Sequence, residues 1–167
     1  MSHLERRITI DCPLAQAAAR LQSFFARNGS PDGDVVHLNL QANVDVPGVP
    51  APVVLQRAVV ATIHKNRLPA DMTPRYRVEW APEKPGPFPL FGGELFVDGE
   101  NYESFVLSLS GDYTPPLGLV GKGFDAIVGK RIAEATASNL LERIKSFVES
   151  EFTADEAAKR QRLEASS

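Results

Sequence analysis

Hydrophobic and polar residues change their spacing several times along this chain, and each change marks an element. Leu4, Arg6, Ile8 and Ile10 share one face of a short predicted strand, Leu4 to Ile10. The period then lengthens. Leu14, Ala17, Ala18, Leu21, Phe24 and Phe25 recur at helical spacing, which predicts an amphipathic helix over Pro13 to Arg27. Asp11 or Cys12 is expected to cap it, with Pro13 in the first turn and Asn28-Gly29 closing it. From Asp34 the period is two: Val36, Leu38, Leu40, Ala42 and Val44 alternate with His37, Asn39, Gln41 and Asn43, a strand with one buried face.

A proline-rich turn, Pro47 to Pro52, leads to a second long strand over Val53 to Lys65, rich in β-branched residues. Tyr76, Val78 and Trp80 alternate with Arg75, Arg77 and Glu79. The four prolines of Pro82 to Pro89 predict an irregular connection. Phe91 to Val97 and Tyr102 to Tyr113 read as a hairpin around Asp98 to Asn101, with Gly92-Gly93 and Gly111 as bend or bulge sites. After Pro115-Pro116 the pattern is helical to about Phe152, with Ala126, Gly129, Ala133, Ala137, Leu140, Ile144 and Val148 along one stripe. Thr153 and Glu156 stand at capping-box spacing and open a charged tail, expected as a frayed surface helix or as disorder.

The order defines an α+β domain: a curved antiparallel sheet of about six to seven strands gripping a long C-terminal helix, with a short helical segment after the first strand. Residues 1–152 form one predicted domain and 153–167 a polar tail. A length of 167 residues suits one core, and an apolar fraction of 43% with 23% charged residues is ordinary for a globular chain. The net charge of -3 and the lack of a basic run argue against nucleic acid as a partner. No apolar stretch is long enough for stable membrane insertion, and Met1 to Arg7 does not read as a secretion signal. A single cysteine, Cys12, makes no internal disulfide; a cytoplasmic protein is the expectation.

Two segments, Ile10-Asp11-Cys12-Pro13-Leu14 from strand to helix and Gly111-Asp112-Tyr113-Thr114-Pro115-Pro116 from last strand to long helix, stand in an order of elements that resembles the START-like, Bet v 1-like helix-grip superfamily (SRPBCC), which includes polyketide cyclases. The resemblance spans Leu4 to Phe152. It implies a cavity for apolar ligands between the concave face of the sheet and the long helix.

Alternation assigns the lining of that space. Val36, Leu38 and Leu40 should point inward from one strand, and Tyr76, Val78 and Trp80 from another. Leu95 and Val97 with Phe105, Leu107 and Leu109 should do so from the hairpin, and His37, Asn39, Arg75, Arg77, Glu79, Ser108 and Ser110 should point outward. Tyr113 and the small residues Gly129, Ala133 and Ala137 of the long helix complete the expected ligand-binding set. No inward position carries a carboxylate, histidine or lysine, which argues against acid–base catalysis inside. The strand Val53 to Lys65 is ambiguous: one face carries Arg57, the other Gln56, Thr62 and His64, so at least one polar group faces inward in either register. His64, with Tyr76 or Tyr113, is the best catalytic candidate.

Three functions fit. The first is binding of an apolar or amphipathic small molecule, lipid-like or polycyclic. The second is a cyclase or dehydratase acting on an aromatic or polyketide-like substrate. The third is a protein-interaction module with a vestigial cavity. Phe124, Ile127, Val128 and Ile132 project from the other side of the long helix, either as a cavity lid or as an apolar patch for a homodimer. The residues do not decide whether a reaction is catalysed. Gly121 to Ala126 fits a loose dinucleotide pattern but lacks a βαβ unit. His3, His37 and His64 are too scattered for a metal site, and no cofactor is expected. Cys12 reads as a small buried hydrophobe.

Overall fold

The computed structural model describes residues 2–29, 34–45, 48–65, 73–84, 89–99, 101–114 and 126–167. In chain order the elements are β1 (Ser2–Ile10), a 3-10 turn (Leu14–Gln16), α1 (Ala17–Arg27), β2 (Val35–Val44), β3 (Val53–Lys65), β4 (Arg75–Pro82), β5 (Leu90–Asp98), β6 (Phe105–Thr114) and α2 (Ala126–Ala165). Phe124, the Gly121 to Asp125 part of the dinucleotide-like segment and Pro115-Pro116 lie outside the described residues.

The six strands form one antiparallel sheet in the order β1-β6-β5-β4-β3-β2, so the first two strands of the chain occupy opposite edges. The strands bury the residues of one face, and most of that set forms one cluster with Leu21, Phe24 and Phe25 of α1 and Leu140, Ile144 and Val148 of α2, while Ala42 and Val44 of β2 belong to a second. The sheet curls around α2, which packs against both edge strands, β1 and β2.

An edge strand leaves a row of backbone groups without ladder partners. Here α2 supplies partners. On β2, Arg131 donates to the Asp45 carbonyl (2.9 Å), Asn139 accepts from the Gln41 amide (3.1 Å), and Arg143 donates to the Asn39 carbonyl. On β1, Lys145 Nζ donates to the Thr9 carbonyl at 2.8 Å, and Arg6 pairs with Glu134 at 3.0 Å. Just past β1, the Asp11 amide donates to Glu149 at 3.0 Å. A helix whose core stripe is apolar thus carries flanking polar side chains that close the two edges of the sheet.

Two local expectations change. No side chain caps the start of α1: the chain enters through the 3-10 turn, and Asp11 spends its amide on Glu149. Nor does Thr153 begin a new helix. α2 runs 40 residues without interruption, about 60 Å at ~1.5 Å per residue, so the amides that a capping box would satisfy are already within the helix ladder.

Candidate functional site

The pairing register places the inward side chains in rows across the concave face. Tyr113 pairs with Phe91, Phe91 with Trp80, Trp80 with Ala61, and Ala61 with Val36. Another row runs from Leu109 through Leu95 to Tyr76. Every side chain expected to line the sheet side is buried: Leu38, Leu40, Tyr76, Val78, Trp80, Leu95, Phe105, Leu107, Leu109 and Tyr113. Phe91 joins them. Its place was readable from its position in phase with Leu95 and Val97, but the glycines between hid the alternation. Trp80 and Phe91 stack with ring centroids 4.2 Å apart at 18°. From α1, Phe25 meets Tyr76 edge to face at 5.3 Å, so α1 closes one part of the concave space with aromatic rings.

Two polar tips on this face are set apart from their surroundings. Burial alone pushes the Tyr76 hydroxyl up to about 12, so it stays neutral at physiological pH. The indole Nε1 of Trp80 is buried and has no hydrogen-bond partner among the described residues.

β3 resolves its register by pairing Val59 with Leu38 and Ala61 with Val36, which puts Val59, Ala61 and Ile63 inside. Arg57 shares that face opposite Leu40 but stays half-exposed, just outside the stretch of β3 that pairs with β4. His64 lies on the convex face, exposed and paired across from Arg77, away from Tyr76 and Tyr113. The candidate catalytic set containing His64 is therefore not assembled. Ser108, expected outside and exposed, is on the convex face but buried, since its cross-strand partners are the large side chains of Arg7 and Phe96.

On α2, Ala133 and Ala137 are buried in the same core and Gly129 is half-buried. Glu134 stands at Arg6 and Lys145 at Thr9, so the small half of the stripe lies toward the Ser2–Tyr113 end of the β1–β6 pair. Val128 and Ile132 correct the expectation of an apolar dimer patch. Both are buried with Ala42 and Val44 in a second cluster, and of the described pair at the start of the helix only Ile127 is exposed. Successive helical residues are about 100° apart, not opposite, so Val128 and Ile132 widen the core-facing sector and reach the far end of β2.

Outside the core, open grooves of about 510, 490 and 470 Å³ among the described residues follow α2; the first is lined by Arg6, Asn43, Arg131 and Glu134 among others. On the convex face His3 sits between Asp112 (Nδ1 to Oδ1, 3.3 Å) and Ser110 (Nε2 to Oγ, 3.2 Å). The order of contacts is that of a nucleophile, base and carboxylate, but the group is solvent-exposed, with the His3 and Asp112 side chains more than half open to water. Burial pushes the Cys12 thiol up against the opposing pull of Arg20, which leaves it a poor nucleophile. Among the described residues no cluster of histidine, cysteine and acidic side chains is arranged to hold a metal, and no helix is long and apolar enough to cross a membrane.

No family profile matches the chain, and no curated protein matches it in sequence. Solved structures do match its shape. A START superfamily protein from Mycobacterium smegmatis is 9% identical with a TM-score of 0.53, covering 89% of this chain and 97% of its own. A conserved protein from Geobacillus kaustophilus is 12% identical with a TM-score of 0.51, covering 88% and 95%. The Zhui aromatase/cyclase from Streptomyces sp. R1128 is 19% identical with a TM-score of 0.49, covering 89% and 93%. At these identities the first two likenesses speak for architecture alone: the chain has the helix-grip fold, a curled antiparallel sheet around a long C-terminal helix.

Proposed function

We propose that this protein binds an apolar or amphipathic small molecule, lipid-like or polycyclic, between the concave face of the sheet and α2. The observation that carries the reading is the composition of that face: rows of aliphatic and aromatic side chains, with Tyr76, Trp80 and Tyr113 as its polar members on β4 to β6, opposite the small residues Ala133 and Ala137. Burying an alkyl chain of ~10 carbons contributes on the order of 8 kcal/mol gross at ~0.8 per methylene. Association costs of several kcal/mol reduce this toward millimolar affinity, so tighter binding needs a larger apolar body or a polar contact. The cyclase reading is weaker, because the histidine it needed stands on the other face, leaving Tyr76 and Tyr113 as its acid–base candidates.

Native mass spectrometry of gently purified protein tests the proposal. A small-molecule mass lost on denaturation is expected, as is uptake of a naphthalene probe that Ala137→Phe blocks while leaving the circular dichroism unchanged. The absence of both a co-purified mass and any uptake of the probe would end this reading.

A further inference from the structure

Trp80 is the one tryptophan of the chain, and its side chain is almost wholly buried, 3% exposed, on the concave face in the row that joins Tyr113, Phe91, Ala61 and Val36 near one end of the strands. Buried indole N–H groups are normally paired, because removing the donor from water without a new acceptor is costly. The Trp80 Nε1 has no such acceptor among the described residues. The ring cannot easily turn to find one, since it is stacked against Phe91 at 4.2 Å and Phe91 is itself wedged over Gly93 and Gly111. A donor is therefore held on the face that the proposed ligand would cover.

We propose that the Trp80 indole is the polar anchor of the site, donating to an acceptor oxygen on a neutral, otherwise apolar ligand. This rests on the binding reading above and narrows it. An indole N–H only donates, so its partner must be an acceptor. The inward positions of β4, β5 and β6 are Tyr76, Val78, Trp80 and Pro82, then Phe91 to Val97 in alternation, then Phe105 to Tyr113 in alternation, and no cation stands among them. Arg6 on β1 is already paired with Glu134, and Arg57 and Lys65 of β3 each stand four residues along the strand from Ala61, the cross-strand partner of Trp80, and keep solvent contact. A carboxylate brought to Trp80 would be buried without a countercharge, which disfavours fatty acids in their ionised form. A ketone, ester or quinone carbonyl meets the donor at no such cost. The ligand class is thus a carbonyl-bearing apolar molecule.

Three probes of nearly one shape test this: 2-ethylnaphthalene, 2-acetylnaphthalene and 2-naphthoate. Affinities come from calorimetry, and the indole N–H signal, single because the chain has one tryptophan, is followed by nitrogen-correlated NMR. The expected result is that the ketone binds about tenfold more tightly than the hydrocarbon, the scale of one hydrogen bond, and moves the indole proton downfield. Naphthoate should bind no better than the hydrocarbon. Trp80→Phe should bring the ketone to parity with the hydrocarbon while the hydrocarbon still binds. Equal binding of ketone and hydrocarbon by the wild type, with the indole proton unmoved, overturns the anchor but leaves the apolar site standing. Tightest binding of naphthoate overturns the neutral class. Binding of none of the three overturns the anchor and the site together. If Trp80→Phe does not fold, the wild-type comparison decides alone.

Discussion

Gly93 and Gly111 face each other directly between β5 and β6, and a β-carbon on either would fall 2.8 Å from Phe91 Cζ. The same added carbon would meet backbone atoms of the opposite strand at 2.3 to 2.6 Å. These two positions are glycine because the Phe91 ring lies in the space their side chains would take, and that ring in turn sets the plane of Trp80. The bend expected at both glycines from sequence is a packing requirement of the aromatic stack.

Gly93→Ala and Gly111→Ala should each destabilise the fold by about 1 to 3 kcal/mol, the usual range for overfilling a packed region. Thermal unfolding followed by Trp80 fluorescence checks this, since the stack on Phe91 should loosen with the bend. A neutral change in both variants would mean that the strands separate at no cost.

Tyr76 predicts an alkaline limb. Its hydroxyl is raised in the folded state to about 12 against an ordinary value of 10.0, with burial as the cause. The stabilising contribution is complete below pH 10 and is lost as pH rises through about 12, because the unfolded chain ionises first. Denaturant unfolding across that window should show stability falling in the wild type and falling less steeply in Tyr76→Phe.

Glu149 predicts the acid counterpart. Burial works to raise its carboxyl, but the hydrogen bond from Lys145, the amide of Asp11 and the charge of Lys145 outweigh it and hold the group below the usual 4.5. Its contribution is present above the ordinary carboxylate value and disappears as pH drops through the lowered one. Glu149→Gln should therefore lose stability at neutral pH and show a flatter acid limb than the wild type.

The polar fringe of α2 predicts a colloidal effect. Replacing Arg131, Asn139 and Arg143 by alanine removes three partners from the β2 edge. Each loss should cost about 1 kcal/mol. Light scattering on warming should show earlier association than the loss of melting temperature alone explains, since a bare edge pairs with another chain.

His64→Ala gives a control. An exposed residue of the convex face should leave uptake of the naphthalene probes unchanged, whereas lost uptake would return His64 to the site.

Strand patterns were legible wherever one face was uniformly apolar. Val36 to Val44 and Tyr76 to Trp80 could be read residue by residue, because a slip of one position would bury His37 or Glu79. β3 was not legible in this way. Each of its two faces carries polar residues, Arg57 on one and Gln56, Thr62 and His64 on the other, and only the pairing of Val59 with Leu38 separates them. The stripe of α2 was read correctly but too narrowly, since a helix packed between two sheet edges buries a wider sector than one packed on a single surface. Val128 and Ile132 belong to that extra width. Phe91 escaped notice because its neighbour in phase is Gly93, which carries no hydrophobic signal. The unpaired donor of Trp80 has no counterpart in any residue pattern: it follows from what the surrounding strands do not offer.

The order of elements has a consequence for synthesis. The strands that form the two edges emerge early from the ribosome, while Arg131, Asn139, Arg143 and Lys145, which close those edges, emerge after all six strands. During translation the sheet is therefore a sticky intermediate with both flanks open, and the molecule becomes safe from its neighbours only when its final helix docks. Chaperone demand for this protein should be set by the delay before that docking, more than by the stability of the finished fold.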